Sequence, residues 1–155
     1  MRFGAAARWT PTPQHAVLWL AAALLAGCAS GISLDEPIEG PVWRLERLGD
    51  EPVAPGGDPR AEAQIQFDRQ SGRVTGSGGC NRVSGTFERS GSSLKLRQLA
   101  ATRVACADPA RGDKEAQFFA ALQSTTSYRL QGNSRMTLLD SGGRTLAVLS
   151  SSQVR

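Results

Sequence analysis

Few side chains of this 155-residue chain could do chemistry: Cys28, Cys80 and Cys106, a single histidine at His15, lysines only at Lys95 and Lys114, and the stretch Gly76-Ser77-Gly78-Gly79-Cys80-Asn81-Arg82-Val83-Ser84-Gly85. Thiols can bridge, hold a soft metal or act as nucleophiles. Asn81, Arg82 and Arg103 are the candidate ligand-binding residues, because two guanidinium groups near paired cysteines could clamp an anion. Set against that, the arginines could be solvated or bonded to strand ends, and Asn81 could satisfy a turn. As a phosphate cradle the glycine stretch is poor, since no Gly-Lys-Ser/Thr follows and the residues after it read as a strand. The plainer reading is that its glycines allow positive φ or close strand crossing.

The N-terminus decides how much of this inventory counts. Arg2 and Arg8 precede an apolar run from Ala16 to Ala26, and Leu25-Ala26-Gly27-Cys28 closes it. A positive flank, about ten apolar residues and small residues at a cleavage point make a secretory signal rather than a membrane span. A cysteine directly after Leu-Ala-Gly makes the segment resemble a bacterial lipoprotein signal. Residues 1–27 are therefore expected to be removed and Cys28 lipidated, which leaves 128 of the 155 residues, enough for one domain with a real core.

Removal of the leader empties most reaction classes. It takes His15, so the mature chain cannot build a Ser-His-Asp or Cys-His catalytic group or a histidine zinc site. No spacing marks out a carboxylate pair or a Ser-Lys arrangement, and the expectation is that the protein is not an enzyme and uses no metal or cofactor. Taking Arg2 and Arg8 from the formal +4 leaves a net charge of +2. No lysine or arginine cluster appears, which argues against nucleic acid. With Cys28 assigned to lipid, Cys80 and Cys106 remain in an exported chain, where oxidising conditions favour a bridge. The competing reading, a free thiol pair for redox or metal chemistry, lacks both a Cys-x-x-Cys spacing and a histidine to complete the site.

The elements that must position these residues read as short strands. Residues 28–41 are poor in large apolar side chains and form a tether. The domain spans 42–149, opening on Val42 to Leu48, where Trp43 and Leu45 alternate with charged neighbours. Gly49 to Arg60 is a proline- and glycine-rich loop. Gln64 to Phe67, Arg73 to Gly76, Arg82 to Phe87 and Leu94 to Leu96 alternate as strands, with turns at Ser71-Gly72 and Ser90-Gly91. Asp108 as cap and Pro109 in the first position open one helix running to about Gln123, with Asp113 as an alternative cap because Gly112 weakens the first turn, and with Phe118, Phe119 and Leu122 on its apolar side. Ser127 to Leu130, Arg135 to Leu139 and Arg144 to Leu149 complete the strands, Leu146 in phase with Val148, and residues 150–155 form a frayed tail. The expected fold is mainly β (α+β), a small antiparallel barrel-like domain with one helix packed on it.

Four groups of residues carry a resemblance: Trp43-x-Leu45; Gly79-Cys80-Asn81-Arg82-x-Ser84-Gly85; Leu99-Ala100-x-Thr102-Arg103-x-x-Cys106; and Leu138-Leu139-Asp140-x-x-Gly143-x-x-Leu146. Together they resemble the META domain of HslJ-like envelope proteins over about Pro41 to Leu149. The departures are apolar: Val83 stands where an aromatic is frequent, and Val104 where Met is. The resemblance implies a small β-barrel-like fold, export, frequent lipid attachment and Cys80 with Cys106 as the family's cysteine pair. It implies no catalytic residues, since members are tied to stress, antibiotic tolerance and virulence rather than to a reaction. The expected function is a non-enzymatic outer-membrane lipoprotein, held by lipid on Cys28 with its domain facing the periplasm, that contributes to envelope integrity or stress tolerance. The partner is an unknown envelope protein or small ligand. The alternatives are a small-molecule or peptide binder at a barrel mouth, and an inhibitor or chaperone-like partner of envelope proteins.

Overall fold

The computed structural model describes residues 37–54, 58 and 61–151, which lie in one compact unit, Asp35–Arg155. The leader, Cys28, most of the tether and residues 152–155 fall outside the described residues. Nine strands and one helix follow in the order β1 Val42–Leu48, β2 Glu51–Pro52, β3 Gln64–Asp68, β4 Arg73–Ser77, β5 Arg82–Ser90, β6 Ser93–Ala101, α1 Pro109–Ser124, β7 Ser127–Gln131, β8 Arg135–Leu139 and β9 Thr145–Ser151. Every pairing is antiparallel, and neighbours in sequence are neighbours in the sheet, apart from β2. The sheet closes on itself because β1 pairs with β3 through Trp43↔Ile65 and with β9 through Leu45↔Leu149. Closure leaves β1 and β9 without the exposed edges an open sheet would present. The fold is thus the mainly-β α+β arrangement expected from the sequence.

The ring is thinnest between β6 and β7, where Ser93↔Ser127 is the single paired position. The chain between those strands forms α1, which packs against β6, β9, β1 and β8. Its start follows from local chemistry: the Asp108 carboxylate accepts the Ala110 N–H at 3.0 Å, and Pro109, which has no N–H to satisfy, takes the first helical position. Phe118 and Leu122, both fully buried, join Trp43, Ile65, Phe67, Leu94, Met136, Leu138 and Leu149 in one core. Among the described residues no helix is long and apolar enough to cross a membrane.

Four details differ from the expectation. Ile38 lies in the segment read as tether, yet it is fully buried, and its carbonyl accepts the Trp43 indole N–H at 2.8 Å; the domain begins before residue 42. The loop from Gly49 contains a two-residue strand, because Gly49 at φ 54° turns the chain so that Glu51 pairs with Leu48. In β9 the inward residues are Ala147 and Leu149, while Leu146 and Val148 are half-buried; the ladders Leu138↔Ala147 and Met136↔Leu149 fix that phase. Ser150 and Ser151, read as tail, belong to β9, where Ser151 pairs with Trp43.

Candidate functional site

The turn from β4 to β5 is built by its glycines. Gly79 takes φ 115°, a conformation that side chains oppose, and the Gly78 N–H donates to the Asn81 carbonyl at 2.8 Å. Gly78 is also a close approach: a Cβ there would stand 2.5 Å from Glu115 Cγ and 2.8 Å from Phe119 Cζ. The positive φ of the plainer reading is met at Gly79, whereas the close neighbour at Gly78 is the helix rather than a strand. The turn delivers Cys80 to Cys106, with which it forms a disulfide at a Cα–Cα distance of 5.6 Å, and presents Asn81 to the segment after β6.

Glu115 is the residue that organises the cluster. It lies on α1, 6 % exposed, and its Oε2 accepts the backbone N–H of Cys80 at 2.9 Å and of Asn81 at 2.6 Å. Its Oε1 accepts the Asn81 amide at 2.5 Å and lies 4.0 Å from Cys106 Sγ. A buried carboxylate is tolerated only when hydrogen-bonded in this way. Asn81, also 6 % exposed, passes the order on: Oδ1 accepts from Thr102 Oγ1 at 2.9 Å and from the Val104 N–H at 2.7 Å, while Nδ2 donates to the Val104 carbonyl at 3.0 Å. The Arg82 N–H in turn donates to Thr102 Oγ1 at 3.1 Å. One carboxylate and one carboxamide therefore fasten the β4–β5 turn, the 102–106 segment and α1 together.

The three candidate ligand-binding residues do not form one site. Asn81 is buried and its amide is fully engaged with protein groups, as in the turn-satisfying reading weighed from the sequence. Arg82 and Arg103 are exposed. Arg82 borders a shallow depression of about 450 Å³ floored by Gln64, Gln66, Thr75 and Ser77, which Asn81 and Arg103 do not line. The donor atoms of Cys80, Cys106 and Glu115 lie within 4.8 Å of one another, a spacing that could hold a metal. With the sulfurs bonded to each other and the carboxylate accepting N–H groups, those atoms are committed elsewhere.

Sequence reasoning missed Glu115, although a signal was present. Phe118, Phe119 and Leu122 follow it at three, four and seven residues, so the carboxylate sits on the apolar stripe of the helix. A charge on that stripe must be buried and paired.

With this geometry in hand, the likenesses to known proteins are consistent. A family model described as the META domain matches residues 36–153. Two structures solved by NMR are similar: one is 25 % identical with a TM-score of 0.58, covering 75 % of this chain and 92 % of that one. The other, from Burkholderia xenovorans, is 21 % identical with a TM-score of 0.59, covering 100 % and 99 %. A crystal structure of a DUF4847 family protein from Bacteroides vulgatus is 16 % identical with a TM-score of 0.51, covering 78 % and 98 %. No curated protein matches the chain.

Proposed function

The chain belongs to the META domain family, and from that premise we propose that it is a non-enzymatic, lipid-anchored envelope protein whose domain supports envelope integrity or stress and antibiotic tolerance through contacts with other envelope components. The observation that carries this reading is the Cys80–Cys106 bridge together with the polar network behind it. A disulfide suits an oxidising compartment outside the cytoplasm. Glu115 and Asn81, the buried polar groups nearest to it, are used to hold backbone rather than to face a substrate.

The anchor is assigned to Cys28 by the Leu-Ala-Gly-Cys sequence. Burying acyl chain contributes ~0.8 kcal/mol per CH₂, so one chain binds marginally and the two or three of such an anchor bind durably. Ala29 stands where Asp would signal inner-membrane retention, which favours the outer membrane. Fractionation of cells that express the full chain tests the reading. Wild type is expected in the membrane pellet and Cys28→Ser in the soluble fraction, and a Cys28→Ser protein that still pellets contradicts it.

A further inference from the structure

We propose that the segment from Arg103 to Ala105 is a preformed contact loop for a partner protein whose surface sets carboxylates around a small apolar recess. The inference rests on the envelope reading only for the compartment in which the partner is met.

Val104 is 64 % exposed, and among the described residues it is the one large hydrophobic side chain so placed. A lone exposed valine is ordinary on a soluble protein. What sets this one apart is its backbone. Both the N–H and the carbonyl of Val104 are bonded to the Asn81 side chain, at 2.7 and 3.0 Å. Thr102, two residues earlier, is tied to Asn81 and to the Arg82 carbonyl, and Cys106, two residues later, is bridged to Cys80. Asn81 is itself fixed by Glu115. The two buried polar side chains of this region, an inter-strand turn and the disulfide all converge on three residues whose side chains point to solvent. A loop that needed only to connect β6 to α1 would not require its central residue to be clamped on both backbone groups. A loop already ordered loses little conformational freedom when a partner closes on it.

The charge around the loop gives the partner's chemistry. Arg82, Arg103 and Arg111 are exposed, and among the described residues no hydrogen bond or ion pair engages their guanidinium groups. Arg82 is backbone-paired with Thr102, beside Arg103; the Arg111 stem runs 3.7 Å from a Cβ built on Gly79, next to the bridge. Of the nearby acids, Asp108 caps α1, Glu115 is buried and Asp113 is exposed. Among the exposed groups, Arg82, Arg103, Arg111 and Lys114 stand against Asp108 and Asp113; positive charge is in excess, and it is matched by carboxylates that flank the recess for Val104.

A fluid bilayer rewards large apolar side chains rather than one clamped valine, which favours a protein over a lipid surface.

Photocrosslinking in intact cells tests this, with the full-length protein carrying Val104→p-benzoylphenylalanine, or Ser92→p-benzoylphenylalanine as a control on the β5–β6 turn. Position 104 is expected to give a discrete protein adduct, about tenfold above position 92, and the paired reversal Arg82→Glu with Arg103→Glu is expected to cut its yield about tenfold at unchanged Tm. Ala105→p-benzoylphenylalanine repeats the measurement if the change at 104 lowers Tm. Absence of a protein adduct, equal yields at 104 and 92, a lipid adduct alone, or a yield indifferent to charge reversal would each overturn the proposal. The same adduct is expected in the Cys28→Ser background, so failure of the anchor and failure of the loop are read separately.

Discussion

Glu115 and Gly78 are one device, because the absence of a side chain at Gly78 is what lets the carboxylate lie against the β4–β5 turn. Glu115→Gln keeps one accepting oxygen where the carboxylate offers two, and it points an amide at a donor, either at Asn81 Nδ2 or at the two backbone N–H groups. The expected cost is about 1.5–3 kcal/mol, the range for hydrogen bonds to a charged group, measured by urea unfolding. Gly78→Ala places a Cβ 2.7 Å from Glu115 Oε2 and is expected to cost a similar amount by displacing the same group. The two losses should not add, and a double-mutant cycle in which they do add would separate the residues. This scale was half legible in the sequence. The Cys-Asn-Arg and Thr-Arg-x-x-Cys segments stand out because glycine, cysteine and asparagine have specific backbone and bonding roles. Glu115 is marked only as a charge on the apolar stripe of α1; its partners, backbone N–H groups 34 and 35 positions away, are revealed by no spacing.

Among the elements, α1 and the β8–β9 turn are the two whose chemistry is local enough to test alone. Phe118→Ala empties a fully buried site between the helix and the sheet and is expected to cost about 3–5 kcal/mol, read by thermal or denaturant melting. In the turn, Asp140 Oδ1 accepts the N–H groups of Gly142 at 2.8 Å and Arg144 at 3.0 Å, and Oδ2 accepts from the Arg144 guanidinium at 2.8 Å. The Arg144 N–H, with the Arg144 side chain next, holds the Asp140 carboxyl below its ordinary value of 3.8. A carboxyl depressed on folding stabilises the protein above its ordinary value, and that contribution fades as pH falls through the folded value. The stability gap between wild type and Asp140→Asn is therefore expected to be constant near neutrality and to close below about pH 4; a gap that widens on acidification would contradict the assignment. Strand positions were legible from alternation and turn residues, as Ser71-Gly72 and Ser90-Gly91 attest. The phase of β9 was not, because Leu146, Ala147, Val148 and Leu149 are all apolar, and only the pairing to β8 chooses which face turns inward.

For the molecule as a whole, the defining contact is the closure of β1 on β9, and the sequence carries no mark of it beyond the number of strands. Trp43↔Ser151 joins residues more than a hundred positions apart, so nothing local encodes it. The bridge between Cys80 and Cys106, 26 positions apart, ties the helix-bearing connection to the barrel. Replacing both cysteines by serine is expected to cost roughly 3 kcal/mol in the chain-entropy account, and an unchanged urea midpoint would show the bridge to be dispensable. Where this domain is held is read most directly by intact-mass spectrometry of the full-length protein purified from membranes. A mature chain that begins at Cys28 and carries the added mass of a diacylglyceryl group and an N-acyl chain is expected; an unprocessed chain, or one cleaved elsewhere and free of lipid, would contradict the anchor.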